Sequence, residues 1–433
     1  MAHRDSTLRI PFPTQLVVFV VALTVFAYRG WDARDWLMYL DEVFVQHAVD
    51  PAVVYGGIRG AIDPLGLTNS FSGYIHFVPR VLAEIYTSLS LGAYPFATWI
   101  TASLTWSMTA WVIFVAIATA ARSQVAGLVA AAAFVLHPAS NVILLGQLNA
   151  LQWPMLLACT VIAITMYRPT TRVAQVGIFL LFILTALSAA LSFLIIALLL
   201  IASITPTSRR YALSLTVATS IPFLFQLLTY FGQDTRIVES HAWADLVREA
   251  SYALQIVVPG GLREGVASSP DSLATALIII SWLVLAGTLT VAVIRARTVG
   301  VDITRMILMF MGAGSVFLVV SVYFNGNLNH QYLVVPYGCL WSAVAISCSL
   351  LLRQSDTRHI GQWAALVAIG IFSFSATPLL NKSLKDPFFV QPFVGDWSSV
   401  VDDARAECLV QGGEFVHPEG TSDTFSLPCV ALD

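Results

Sequence analysis

Long apolar runs separated by short polar connections make up most of this 433-residue sequence. Each run approaches the roughly 20 apolar residues that an α-helix needs to cross a bilayer. The pattern therefore predicts an all-α polytopic membrane protein with about eleven transmembrane helices. We place these helices at about 13–29, 97–120, 124–140, 150–167, 173–187, 189–204, 211–231, 273–294, 304–324, 331–352 and 361–379.

The apolar run at 173–204 is too long for one straight helix and short for two, and it contains the polar sequence SAALS. A helical hairpin there places Arg168, Arg172, Arg209 and Arg210 on the same side of the membrane. Because arginine is enriched in cytoplasmic loops, the hairpin is favoured over a single helix. The resulting inner connections hold twelve arginines against three acids. This distribution predicts a cytoplasmic N-terminus and an extracytoplasmic C-terminus.

The first apolar run follows Arg4 and Arg9, and a cleaved signal peptide is the alternative interpretation. No small-residue cleavage site precedes Arg29, and many apolar runs follow, which favours a retained helix. The sequence is 57% hydrophobic and only 11% charged, well below the charge of a soluble domain. Its net charge of −3 gives no basic surface for nucleic acid. Two lysines against twenty arginines indicate a GC-rich bacterial genome, hence a bacterial inner membrane.

The longest polar segments are 30–96, 232–272 and 380–433, and the predicted topology places all three outside. We divide the chain into a transmembrane domain at 1–380, which includes the outer loops 30–96 and 232–272, and an extracytoplasmic cap at 381–433. Cys408 and Cys429 fall in this cap, where the environment is oxidising. We predict that they form a disulfide around a small β-hairpin. The cysteines within the spans are interpreted as core residues.

An acidic pair, Asp41 and Glu42, follows an amphipathic segment at 31–40 that is typical of an interfacial helix. A carboxylate near headgroup level could deprotonate an acceptor hydroxyl as a general base. It could also help to hold a divalent cation, Mg²⁺ or Mn²⁺, through its oxygens. The alternative is a solvated acidic loop, which is the usual environment of Asp and Glu. No other metal-binding motif is evident in the sequence.

The stretch YIHFVPR at 74–80 carries two candidate anion-binding side chains, His76 and Arg80. A guanidinium fork matches the geometry of phosphate oxygens, although an ion pair of Arg80 with Glu84 is the alternative. Polar residues also crowd the starts of the fourth and tenth spans, where they predict the rim of one cavity or, alternatively, helix caps and polar turns. The candidate substrate-binding residues there are Asn149, Gln152, Trp153, His330 and Gln331.

This layout resembles the GT-C class of integral membrane glycosyltransferases: an acidic pair in the first large outer loop, interfacial helices, about eleven spans and an outer C-terminal segment. The stretches YIHFVPR and LGQLNALQW are similar to those of bacterial membrane proteins of this kind. So is HQYLVVP, except that Gln331 stands where some of them have Arg, which shifts the expected phosphate contact to Arg80.

The resemblance implies inverting transfer of a sugar from a polyprenyl-phosphate donor to an envelope glycan or lipid acceptor at the outer membrane face. It implies Asp41 as the catalytic base, with Glu42 as second choice and Asp35 as third. An envelope lipid transporter or flippase is an alternative, although it would more naturally carry charged residues deep within its spans. A non-catalytic membrane subunit of an envelope assembly complex is another, and in it Asp41 would be dispensable.

Overall fold

The computed structural model describes residues 10–37, 45, 48, 70–71, 74–136, 142–231, 271–299, 301–325, 330–353, 396–411, 414–417 and 425–429. Turns of 3₁₀ helix lie at Trp31–Asp35, Leu91–Ala93, Asn149–Leu151 and His330–Leu333. Two antiparallel hairpins pair β1 (Ser70–Phe71) with β2 (Tyr74–Ile75) and β3 (Glu414–His417) with β4 (Phe425–Pro428). The remaining elements are the helices α1 (Phe12–Arg29), α2 (Phe77–Leu89), α3 (Tyr94–Ala120), α4 (Gln124–Val135), α5 (Val142–Leu145), α6 (Gln152–Thr165), α7 (Arg172–Ser188), α8 (Ser192–Ser203), α9 (Arg209–Phe231), α10 (Asp271–Val299), α11 (Val301–Asn325), α12 (Val334–Arg353) and α13 (Trp397–Gln411).

The helices form an all-α, multi-pass membrane fold. Six of those described are long and apolar enough to cross a bilayer by themselves, namely α1, α3, α9, α10, α11 and α12. Four shorter apolar helices, α4, α6, α7 and α8, match further predicted spans, and the predicted span at 361–379 lies outside the described residues. A helix of 12 residues such as α4 is about 18 Å long, whereas the hydrocarbon core is about 30 Å thick. The third predicted span, 124–140, is accordingly shortened, because α4 ends at Val135.

The apolar run at 173–204 forms a helical hairpin, α7 and α8, as the arginine distribution predicted. The ring centroids of Phe179, in the middle of α7, and Tyr211, near the start of α9, lie 6.4 Å apart. The Tyr211 hydroxyl also donates to the carbonyl of Tyr167 at 3.2 Å. The starts of α7 and α9 therefore lie at the same end of the bundle, so α8 runs back between them.

Two ends of the helix bundle can be distinguished from these contacts. The end that carries α2 is called here the loop end; there the end of α1 meets the end of α4, and the strand β2 meets the last turns of α9. The other end is called the Arg168 end; there Arg168 lies 5.6 Å from the ring centroid of Tyr211. Arg305, at the start of α11, bonds the carbonyl of Ile201 at 3.0 Å at this end.

The core of the bundle is packed around α12, whose apolar stretch is buried along its whole length. Close helix approach depends on small residues, as is common between membrane helices. A Cβ added to Gly338 in α12 would lie 2.5 Å from a methyl carbon of Leu157 in α6. A Cβ added to Gly127 in α4 would lie 2.5 Å from the carbonyl oxygen of Phe114 in α3. These glycines bring α4 and α12 into direct contact with their neighbours.

The C-terminal segment packs against the loop end. Trp397, at the start of α13, is fully buried and donates its indole N–H to the carbonyl of Leu91 at 2.6 Å. Cys408 of α13 is joined to Cys429 by a disulfide, which ties α13 to the β3–β4 hairpin in the pairing expected from the sequence. This contact places α13, with the β3–β4 hairpin joined to it, at the loop end.

Candidate functional site

The segment from Tyr74 to Arg80 is held at the loop end by two transmembrane helices. The side-chain amide of Gln226, in α9, accepts from the backbone N–H of Ile75 at 2.7 Å and donates to the carbonyl of Ile75 at 2.9 Å. The hydroxyl of Ser188, the last residue of α7, accepts from the N–H of Val78 at 3.0 Å. Both partners are buried, so these bonds form away from competing water.

His76 lies between the two anchored residues, and Arg80 lies in the first turn of the helix that follows. The helix α2 begins at Phe77, two residues before Pro79, and the Arg80 N–H donates to the His76 carbonyl at 3.0 Å. His76 is 1% exposed and Arg80 is 4% exposed. A buried guanidinium is costly without compensating partners, which marks this position as more than a surface charge.

Glu84 lies one turn after Arg80 on α2 and is half-buried. Burial raises the pKa of the Glu84 carboxyl above its ordinary value, and the guanidinium of Arg80 opposes this rise. The i,i+4 interaction that was the alternative interpretation of Arg80 is therefore present as an electrostatic contact. Arg80 nevertheless remains far more buried than Glu84, so a surface ion pair alone does not account for its position.

A second polar cluster lies between α5 and the start of α6. The Gln152 side-chain amide donates to the carbonyl oxygen of Asn149 at 3.1 Å and to its side-chain oxygen at 3.2 Å. Gln147, Asn149 and Gln152 are all buried. This irregular backbone between two apolar helices is tolerated because protein surrounds it.

The starts of the fourth and tenth predicted spans meet at one aromatic contact. The rings of Trp153, in α6, and Tyr332, before α12, meet edge to face with centroids 5.0 Å apart. Gln331, next to Tyr332, is 7% exposed. The side chain of His330 lies outside the described part of the structure. Within the described residues, the two span starts are therefore in contact through the rings of Trp153 and Tyr332.

One apolar cluster lies beneath both groups of polar residues. It includes Ala83 of α2, Leu148 and Leu151 of the Gln147–Gln152 segment, Tyr94 of α3 and Trp397 of the C-terminal segment. The residues that lead to Arg80 and those that contain Asn149 therefore share a packed base at the loop end.

Two predicted residues, the acidic pair Asp41 and Glu42, lie outside the described residues. Asp35, the third choice for the base, is exposed and pairs with Arg34 at 2.9 Å. Among the residues that the structure describes, no group of three His, Cys, Asp or Glu side chains is placed to hold a metal ion. The suggested Mg²⁺ or Mn²⁺ site depends on the acidic pair and so remains a prediction.

Arg29 is a buried residue at this end that sequence reasoning missed. It is 4% exposed, and its guanidinium donates to the Val135 carbonyl at 2.8 Å at the end of α4. It also interacts electrostatically with Tyr337 of α12. The sequence signal was an arginine directly after an apolar run, which is equally typical of a residue at the membrane surface. Ser188 and Gln226 stood out only as polar residues within apolar runs.

Comparison with known proteins gives a likeness in fold. No family model and no curated protein matches the sequence. The crystal structure of the Archaeoglobus fulgidus oligosaccharyltransferase in the apo form matches 92% of this chain and 58% of its own, at 10% identity and a TM-score of 0.50. The archaeal oligosaccharyltransferase AglB from Archaeoglobus fulgidus, in complex with an inhibitory peptide and a dolichol-phosphate, matches over the same shares at 12% identity and a TM-score of 0.45.

The present chain thus spans less than two thirds of the length of these neighbours. At this level of identity the likeness concerns the fold and not the activity. It extends over 92% of this chain. The helix bundle of this protein therefore shares its fold with the archaeal oligosaccharyltransferase.

Proposed function

We propose that this protein is a membrane glycosyltransferase that moves a sugar from a polyprenyl-phosphate donor to an envelope glycan or lipid acceptor. The reaction takes place at the loop end of the bundle, on the extracytoplasmic face of a bacterial inner membrane. The observation that carries the proposal is the buried pair His76 and Arg80, held by two transmembrane helices on a fold shared with an oligosaccharyltransferase. A buried imidazole and guanidinium are suited to binding the phosphate of a lipid-linked donor.

The proposed mechanism inverts the configuration at the anomeric carbon. Asp41 takes the proton of the acceptor hydroxyl, whose oxygen then attacks the anomeric carbon of the donor sugar. The bond from that carbon to the phosphate oxygen breaks, and the polyprenyl phosphate leaves with the bonding electron pair. Arg80 and His76 stabilise the charge that develops on the leaving phosphate, which is where preorganised donors have their largest effect. Glu42 assists the base or helps to hold a divalent cation.

The second polar cluster is assigned to the sugar. Asn149 and Gln152 offer amide donors and acceptors, and Trp153 offers an aromatic face, all at the loop end and all buried. His330 and Gln331 complete this side of the site in the proposal.

Variants of the acidic pair test the proposal. In a deletion strain of the native host, complementation with Asp41→Asn or Glu42→Ala is followed by analysis of the envelope glycans. We expect Asp41→Asn to lower transfer by about a hundredfold, since loss of a general base typically has an effect of this size. A matched control is Asp32→Asn, an exposed acid of the same loop that is not assigned to the site.

The wild-type protein should restore the missing glycan, and Asp32→Asn should restore it equally well. A normal glycan profile with both Asp41→Asn and Glu42→Ala would rule out the proposed chemistry. A deletion strain with unchanged glycans but altered lipid asymmetry would favour a flippase instead.

A further inference from the structure

Both polar atoms of the Gln226 side chain bond to the backbone of one residue, Ile75. Its oxygen accepts from the Ile75 N–H and its nitrogen donates to the Ile75 carbonyl, at 2.7 and 2.9 Å. Two parallel bonds of this kind define both distance and orientation, as a neighbouring β-strand would. Gln226 is 2% exposed and lies 151 residues from Ile75 in the chain. The bond therefore connects the first outer loop to the last turns of α9.

Ser188 supplies a second anchor three residues further along the same segment. Its side chain is fully buried, and its hydroxyl accepts from Val78 N–H at 3.0 Å. The first-turn N–H groups of α2 lack partners within the helix, so this bond satisfies one of them. Because Ile75 and Val78 are both held, the backbone of His76 between them has little freedom.

Arg80 is tied to the same segment. Its N–H donates to the His76 carbonyl at 3.0 Å, so the first turn of α2 carries the constraint from the anchors to the guanidinium. Neutral polar side chains within membrane helices are costly unless they are paired. Gln226 meets that requirement by bonding to the backbone of the strand β2, and Ser188 by bonding to the first turn of α2.

We propose that Gln226 and Ser188 are positioning residues that hold His76 and Arg80 in the geometry for binding the donor phosphate. This assignment rests on the proposed function, and it adds two residues that neither touch the substrate nor react. Binding groups that are preorganised lose less entropy when the ligand arrives. Removing either anchor should therefore weaken phosphate binding while leaving the bundle folded.

The first experiment tests the anchors without any assumption about activity. A His76→Cys variant is treated with a water-soluble maleimide, alone and combined with Gln226→Met, which keeps the size of the side chain and removes its amide. The free native cysteines Cys159, Cys339 and Cys348 are buried, so background labelling is low. We expect labelling at position 76 to rise at least about fivefold with Gln226→Met, since local opening exposes protected groups.

Thr229→Val is the matched control for this experiment. Thr229 lies on the same helix, is partly exposed and, in the described structure, bonds the Phe225 carbonyl of its own turn at 2.8 Å. It should leave the labelling of position 76 unchanged. Equal labelling with and without Gln226→Met would overturn the proposal.

The second experiment measures whether the anchors act through Arg80. The binding of undecaprenyl phosphate to the full-length protein in nanodiscs is compared for Gln226→Met, Arg80→Ala and the double variant. Each single variant should weaken binding by about tenfold, which corresponds to the loss of one charge-assisted contact. The double variant should lose clearly less binding than the product of the two single losses, because residues acting as one unit give non-additive effects. Ser188→Thr, which keeps the hydroxyl, should retain binding that Ser188→Ala loses.

The possible failures can be told apart. Additive losses in the double variant would overturn the positioning role, even if labelling had shown that the anchors restrain His76. If the wild type binds undecaprenyl phosphate and the losses of the variants are non-additive, but the wild type transfers no sugar, only the proposed function is contradicted. A wild-type protein that does not bind undecaprenyl phosphate would contradict both.

Discussion

The two ends of the bundle use arginine differently. At the loop end, Arg29 and Arg80 are each 4% exposed. At the Arg168 end, Arg168 and Arg209 are exposed, and Arg305 is only partly covered. The exposed arginines follow the distribution expected of loops on the cytoplasmic side, where charge near the membrane surface is sufficient. The buried arginines must be compensated by protein groups, which points to binding or structural roles.

This difference shows that a count of charges along a sequence cannot separate buried arginines from exposed ones. All five arginines contribute equally to such a count. Only three-dimensional packing distinguishes a guanidinium covered by protein from one that reaches water. The functional interpretation of the loop end therefore depends on burial and anchoring more than on charge.

The largest expected effect comes from removing the cation of the proposed phosphate site. Arg80→Ala should lower sugar transfer by about a hundredfold or more, because the leaving phosphate loses a preorganised donor. Arg80→Lys keeps the charge without the planar fork and should recover only part of the rate. Initial rates with a saturating polyprenyl-phosphate sugar would measure both effects.

Arg168→Ala provides the matched change at the other end of the bundle. It removes an exposed cation that lies beside the Tyr211 ring, so transfer should stay close to the wild-type rate. Equal losses for Arg80→Ala and Arg168→Ala would mean that burial does not distinguish the two ends in function.

The membrane class and most helix positions could be predicted from the apolar runs, because length and hydropathy are local properties. The α7–α8 hairpin was also predictable, since arginine placement has a known preference. The early end of α4 at Val135 was not predicted. Among the candidate residues, the sequence identified His76, Arg80, Asn149 and Gln152 as polar side chains, but their burial and the anchoring by Ser188 depend on long-range contacts. The acidic pair lies outside the described residues, so its role stays a prediction.

Substitutions of Arg29 and Arg305 test the contrast between the two ends through the stability of the fold. Each guanidinium donates to a helix-end carbonyl, Arg29 to Val135 at 2.8 Å and Arg305 to Ile201 at 3.0 Å, but only Arg29 is buried. Arg29→Met should cost about 1.5–3 kcal/mol, the usual contribution of a hydrogen bond to a charged group. Arg305→Met should cost less than about 1 kcal/mol, because water replaces the lost partner.

Thermal or denaturant unfolding in the same detergent would measure the difference in the free energy of unfolding. A larger loss for Arg305→Met than for Arg29→Met would contradict the contrast between the two ends. Sugar transfer by Arg29→Met, measured below its unfolding transition, would show whether this residue also contributes to the site.

A smaller effect is expected from a change in α13, which packs against the loop end. Trp397→Phe removes the indole N–H that donates to the Leu91 carbonyl at 2.6 Å and leaves most of the buried ring in place. The expected cost is about 1 kcal/mol, the net contribution of one buried hydrogen bond. It should appear as increased proteolysis of the C-terminal segment, because without this bond α13 detaches from the loop end more often. The Cys408–Cys429 disulfide is unaffected by this change. Unchanged proteolysis would indicate that apolar packing alone holds α13 against the loop end.

The smallest expected effect concerns the half-buried carboxyl beside Arg80. Burial raises the pKa of Glu84 above its ordinary value of 4.5, so the ionised form is less favourable in the folded protein than in the unfolded chain. The sign follows directly: stability falls as the pH rises from 4.5 through the raised pKa, and the loss persists at neutral pH. Glu84→Gln should therefore stabilise the protein slightly at pH 7 and have no such effect below pH 4.5. Unfolding midpoints at the two pH values would measure the change. A destabilised Glu84→Gln protein at pH 7 would mean that the attraction between Glu84 and Arg80 outweighs the cost of burying the carboxylate. The position of Arg80 at the loop end would then depend on its ion pair with Glu84.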